Sequence, residues 1–162
     1  MMARSHVVVG VATWFAAAPS LHLSILDPVY LGLVTAGSLL PDIDHPRSWV
    51  GQRTRPVSTA IASVLGHRGI THSALAVIGL SALLLHAGYQ RGWVSALVVG
   101  YLSHLAADML TPRGLRLAWP LKQTWAIPLC RTGSSAESGI VLTFAGVVAW
   151  WFFRHHVSGL AY

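Results

Sequence analysis

Five apolar stretches, residues 7–19, 29–40, 73–85, 93–110 and 140–153, run through this 162-residue chain, and its charges collect at their ends. A segment of that kind is most stable as a helix that satisfies its own backbone in lipid. Several of the stretches are shorter than the ~20 residues of a full span, so helical extension into the flanks, tilt or local thinning must supply the rest. Composition agrees: 54% of residues are hydrophobic and only 10% charged, against about a quarter charged in soluble domains. The expected fold is therefore all-α, a membrane helical bundle of about five helices with two long loops on one face. The length suits a single domain over residues 1–162.

Pro28 fits the first turn of the second helix, and Pro41 and Pro46 mark its exit by removing donors. The Gln90-Arg91-Gly92 stretch, with Gly88 before it, makes a tight turn between helices three and four. The long connections, residues 42–70 and 111–136, lack the composition of disorder. Loops of that length in a compact domain are usually functional. Trp49, Trp119, Trp125 and Ile127 suit packing at the interface, and residues 57–65 are expected to form a short helix in the interface plane. The N-terminal stretch has the look of a signal peptide but is expected to stay, because His6 belongs with the candidate ligands.

Alternating the five helices across a membrane puts Arg4, Arg47, Arg53, Arg55, Arg68, Arg113, Arg116, Lys122 and Arg131 on one face and Arg91 and Arg154 on the other. That asymmetry marks the first face, with the N-terminus, as cytoplasmic in a bacterial-type inner membrane. The net charge of +6 has this topological origin, so no nucleic-acid partner is expected.

The same face gathers the polar chemistry. Of the five acidic residues, Asp42, Asp44, Asp108 and Glu137 lie there, and only Asp27 does not. His6, His45, His67, His72 and His104 join them, whereas His22, His86, His155 and His156 fall toward the opposite face. In PDIDHP, two carboxylates and an imidazole fall within four residues, a set that suits divalent metals, although Pro-Asp also ends helices and caps turns. In GHRGITHS, Gly66 and Gly69 allow tight turns that can aim His67 and His72 at one point, with Thr71 and Ser73 available as caps or outer hydrogen-bond donors. His104 and Asp108 stand four apart on one helix face; the pair can grip an ion, form a structural hydrogen bond or relay a proton. Glu137 opens the last helix, where a carboxylate also favours the dipole. Cys130, the single cysteine, excludes a thiolate cluster.

His6, PDIDHP, GHRGITHS, the SHLAAD run with TPRG, and Glu137 together resemble the YdjM family of membrane-bound metal-dependent hydrolases over nearly the full chain. That family is in turn distantly similar to zinc-dependent phospholipase C and P1-type nucleases. The resemblance implies that His6, Asp42, Asp44, His45, His67, His72, His104, Asp108 and Glu137 divide among two or three divalent ions. Zinc is the first choice for imidazole and carboxylate ligands. Where the soluble enzymes place an N-terminal tryptophan at the metal, this chain has Met1-Met2-Ala3 with His6 nearby.

The expected activity is hydrolysis of a phosphoester or pyrophosphate in a lipid-like substrate drawn from the membrane. Asp42 or Asp44 would be the general base, and Arg68, between two expected ligands, the phosphate clamp; Arg47, Arg53, Arg55 and Arg113 are further candidates. A divalent metal-ion transporter or a metal-binding membrane protein is the alternative. A metalloprotease lacks its His-Glu-x-x-His signature here.

Overall fold

Each apolar stretch becomes a helix, and in three of them a capping side chain, Asp27, Ser73 or Ser134, marks the start. The computed structural model describes residues 1–65 and 70–157. Helix α1 spans Ala3–Ala17. The Asp27 side chain accepts from the Val29 amide and Pro28 sits at the first position of α2, Pro28–Leu39. That helix tightens directly into a 3₁₀ turn, Leu40–Asp44, with Pro41 near its start. Ser48 caps α3, Trp49–Arg53. Helix α4, Arg55–Leu65, follows. A second 3₁₀ turn, Ile70–His72, leads to α5, Ala74–His86, capped by Ser73. Helix α6 runs Arg91–Met109. Ser134 caps α7, Ser135–Phe152, which ends in a π turn at Phe153–Val157.

The fold is thus all-α, and α1, α2, α5, α6 and α7 are the five helices expected from hydropathy. The first long connection adds α3 and α4, the latter close to the interfacial helix expected at residues 57–65. The second has no helix. Leu115 and Trp125 exchange backbone hydrogen bonds of 2.9 and 2.8 Å, and the Ile127 and Cys130 amides return to the carbonyls of Met109 and Leu110. These bonds fold the loop back over the end of α6.

Helix α6 is the central element, packed mainly on α2, with α1 and α5 also against it and α7 against α1. Glycine permits the closest crossing. A Cβ on Gly100 would lie 2.1 Å from the Val34 carbonyl oxygen, and one on Gly37 2.1 Å from that of Leu97. Small residues that let backbones touch are how helices associate where lipid removes the hydrophobic drive between them. Trp14, Ala18, Val34 and Ala96 fill the end of the bundle away from the long loops, where the Trp14 indole donates to the Ile25 carbonyl.

The outer surface is apolar. Leu75, Ile78 and Leu83 on α5 and Leu142, Val147 and Trp150 on α7 are exposed, a surface that suits lipid contact. Length qualifies the expectation of five spans. Among the described residues, Ser135–His155 is the stretch long and apolar enough by itself to cross a membrane, while α5 is apolar but shorter. At 1.5 Å per residue α2 and α5 reach only about 20 Å, against a hydrocarbon core of about 30 Å. Helix α6 has 19 residues, but the polar side chains that build the site lower its hydropathy.

Candidate metal centre

The two 3₁₀ turns, the end of α6 and the start of α1 meet at one place. His104 and Asp108 project from the same face of α6, one turn apart, and both are fully buried. The α2–α6 crossing at Gly37 and Gly100 brings the turn after α2 against them, carrying Asp42 and Asp44. The turn before α5 contributes His72 from a third side, and α1 contributes His6.

Four donor atoms face one another. His72 Nε2 and His104 Nε2 each lie 4.0 Å from Asp42 Oδ1 and 3.9 Å from Asp108 Oδ2. Ligands of a tetrahedral ion with bonds of about 2.1 Å stand about 3.4 Å apart, so Asp42, His72 and His104, whose ligand atoms all lie within 4.8 Å of one another, close on a zinc-sized cation by small movements, with Asp108 adjoining through both imidazoles. The imidazoles are oriented for that duty. A carbonyl can only accept, so His104 Nδ1 donates to Ser38 O at 2.7 Å and leaves the Nε2 lone pair facing inward. Thr71 does the same for His72: its hydroxyl proton goes to Asp44, so its oxygen accepts from His72 Nδ1 at 3.0 Å. The Tyr101 hydroxyl in turn holds the Thr71 carbonyl. Both Nε2 atoms are buried and without a hydrogen-bond partner, a costly arrangement that a cation in the ring would relieve. The residues present fit a divalent metal.

A second set adjoins the first. His6 stacks on His104 with ring centroids 3.7 Å apart, and its Nε2 lies 3.3 Å from Asp108 Oδ1. His6, His104 and Asp108 therefore form a second group of potential ligands, which shares His104 with the group of Asp42, His72 and His104. The nitrogen of Met1 also pairs with Asp108.

The remaining sequence candidates take other places. Glu137 is buried, but its two oxygens accept from the amides of Met2, at 2.7 Å, and Gly133, at 2.6 Å. It fastens the start of α1 to the start of α7 and is in neither donor group. Half-buried His45 lines an adjoining cavity together with Asp42. His67 and Arg68 lie outside the described residues. Burial, with Glu137 beside it, pushes the Cys130 thiol up, away from thiolate chemistry.

The adjoining cavity has a volume of about 1090 Å³. Its wall carries Arg4, Arg47, Arg113 and Arg131 together with Val7, Val8, Leu39 and Trp49. Of the arginines proposed from sequence as phosphate clamps, Arg47 and Arg113 reach it; Arg53 instead lies 3.7 Å over the Trp49 ring and Arg55 lines a shallow surface depression. Sequence reasoning passed over Arg4 and Arg131 for this role. Both flank segments it had marked, Arg4 two residues before His6 and Arg131 just before the Glu137 helix. Ser38 was also missed; its signal is its place one helical turn before Asp42.

A family model described as the YdjM inner membrane protein matches residues 1–160. The inner membrane protein YdjM of Escherichia coli (strain K12) is 47% identical over 97 residues, covering 56% of this chain and 49% of that protein, and the YdjM of Shigella flexneri gives the same values. The chain thus spans about half the length of these relatives. An uncharacterized protein of Bacillus subtilis (strain 168), YvsG, is 31% identical over 159 residues, 96% of this chain and 98% of that protein. No solved structure matches the chain.

Proposed function

The chain belongs to the YdjM inner membrane protein family, and from that premise we propose that it is a membrane-bound metal-dependent hydrolase that cleaves a phosphoester or pyrophosphate in a lipid-like substrate at the cytoplasmic face. The observation that carries the reading is the ring of His72, His104, Asp42 and Asp108 beside a cavity lined by arginines and apolar side chains. Cation ligands, anion binders and a greasy wall in one place fit an amphiphilic substrate with a phosphorylated head.

In this reading Asp42, His72, His104 and Asp108 hold one divalent ion, zinc first, and His6 helps to hold a second. Such ions supply Lewis acidity toward phosphoryl oxygens and a water acidic enough to attack at neutral pH. The protein does the rest. Asp42 lines the cavity, and the carboxylate oxygen that does not face His72 and His104 is the general base we assign. Asp44 is engaged by the Thr71 hydroxyl and acts as a positioning residue through His72. Arg47 and Arg113 draw phosphate oxygens into the cavity by charge-assisted hydrogen bonds; Arg68 remains the sequence candidate for the same task.

The test is hydrolysis by purified protein in lipid nanodiscs, screened with phospholipids, polyprenyl phosphates and short peptides against an Asp42→Asn variant. Chelator-sensitive release of phosphate that Asp42→Asn loses is the expected result. Cleavage of peptides alone would overturn the phosphoester reading, and metal flux into proteoliposomes with no hydrolysis would replace it with a transporter.

A further inference from the structure

The cavity beside the donor ring has a charge balance that selects among phosphorylated lipids. Its four arginines come from separate parts of the chain: Arg4 from α1, Arg47 from the connection after α2, Arg113 from the connection after α6, and Arg131 from the approach to α7. Anchoring on four segments makes the convergence a property of the fold and not of one basic run. The carboxylates that share this end of the bundle have other partners. Asp44 accepts from Thr71, Glu137 from two amides, and Asp108 pairs with the Met1 nitrogen. Asp42 and Asp108 are offset by the divalent ion assigned to their ring. None of the four arginines forms an ion pair with a carboxylate among the described residues, so their charges are open to a ligand.

A phosphodiester headgroup brings a single negative charge and a phosphomonoester about −1.5 to −2. A diphosphate brings more, with its oxygens spread over two phosphorus centres that separate guanidinium forks can engage at once. The apolar part of the wall includes Val7 and Val8 on α1, and Val8 is also exposed on the outer surface. A hydrocarbon chain can thus stay in the bilayer while its head enters the cavity. We infer that this cavity is a binding site for the diphosphate head of a lipid, with Arg4, Arg47, Arg113 and Arg131 as its anion contacts. The inference rests on the hydrolase reading for its ion but names a substrate class within it.

The test measures binding without turnover. Methylenediphosphonate, whose P–C–P bridge cannot be hydrolysed, and inorganic phosphate are titrated against the full-length protein in nanodiscs while Trp49, on the cavity wall, reports by fluorescence against a Trp49→Phe control. Methylenediphosphonate should bind at least roughly tenfold more tightly than phosphate. An Arg113→Gln/Arg131→Gln double variant should lose at least roughly tenfold of that affinity, while Arg91→Gln, at the opposite end of α6, should lose none. A dodecyl ester of methylenediphosphonate should bind more tightly than the free compound. Equal affinity for phosphate and methylenediphosphonate would overturn the diphosphate assignment, and unchanged affinity in the double variant would overturn the arginine contacts. No gain from the dodecyl chain would overturn the lipid assignment in favour of a soluble diphosphate. If all bindings behave as stated and no substrate is ever cleaved, the site stands and the hydrolase reading falls.

Discussion

Replacing Gly100 by alanine tests how the fold makes the site. The added methyl would stand 2.1 Å from the Val34 carbonyl oxygen, where ordinary contact begins at 3.4 Å. Backbone cannot swing aside as a side chain can, so α2 and α6 must separate by about 1.3 Å at the crossing. Overpacking of this kind costs about 1–3 kcal/mol. The larger effect is local. The His104 Nδ1 to Ser38 O hydrogen bond, 2.7 Å long, spans the same two helices and would stretch to about 4 Å, beyond hydrogen-bond range. The 4.0 Å separation of His104 Nε2 and Asp42 Oδ1 spans them too. Two ligands of one ion with bonds of about 2.1 Å can stand no more than about 4.2 Å apart, so Asp42 would leave the ring. Competition with a fluorescent zinc chelator should show at least about tenfold weaker zinc binding, and the unfolding temperature in detergent should fall by several degrees. Gly79→Ala on α5 and Gly146→Ala on α7, where an added Cβ meets nothing within 4 Å, are the controls; alanine's helix propensity makes them neutral or slightly stabilising. A Gly100→Ala protein with the zinc affinity and unfolding temperature of the wild type would refute the argument that this crossing sets the donor ring.

Purified protein should carry at least two divalent ions by elemental analysis, and His104→Ala or Asp108→Ala should lower the load; full occupancy in both would remove the pair from the metal site. Thr71→Val should weaken zinc binding about 10- to 100-fold, whereas Thr71→Ser, which keeps the hydroxyl, should restore most of it. Glu137→Gln should cost stability and leave ring geometry intact, since both oxygens serve backbone amides; its effect belongs in the melting curve before the metal content. Reporter fusions should place residue 1 in the cytoplasm and residue 162 on the opposite side; both ends on one side would remove the proposed facing of the site.

The helices were legible because lipid-compatible apolar runs are local signals, as are Pro28 and Ser73 where their helices start; the caps Asp27 and Ser134 carry the same kind of signal but went unread. The candidate ligands were legible for a related reason, since carboxylates are rare in this chain and each one beside an apolar run stands out. The sequence does not order them. Asp42 and Asp44 look equivalent in PDIDHP, yet the turn's geometry sends one to the imidazoles and the cavity and the other to Thr71. Glu137 likewise counts as a ligand by type but is taken up by the Met2 and Gly133 amides, contacts fixed by long-range packing. The Ser38 carbonyl, which sets the tautomer of His104, has no side-chain signature at all.

The enclosure of α6 bears on how the protein is made. The buried His104 and Asp108 fall in the last two turns of α6 and make that end a poor candidate to enter a bilayer alone, although an aspartate there costs less than the about 2.5–3.5 kcal/mol of a central one. In the finished bundle neither His104 nor Asp108 meets lipid, because α1, α2 and the turns around them close over both. The helix that carries His104 and Asp108 is therefore the one that depends most on its neighbours during synthesis. Helices α1 and α2 precede it from the ribosome and can be waiting in the membrane to receive it. Loss of the α2 crossing would then be read by the cell first as a failure of membrane integration, with quality-control proteolysis of the chain, before the donor ring could form.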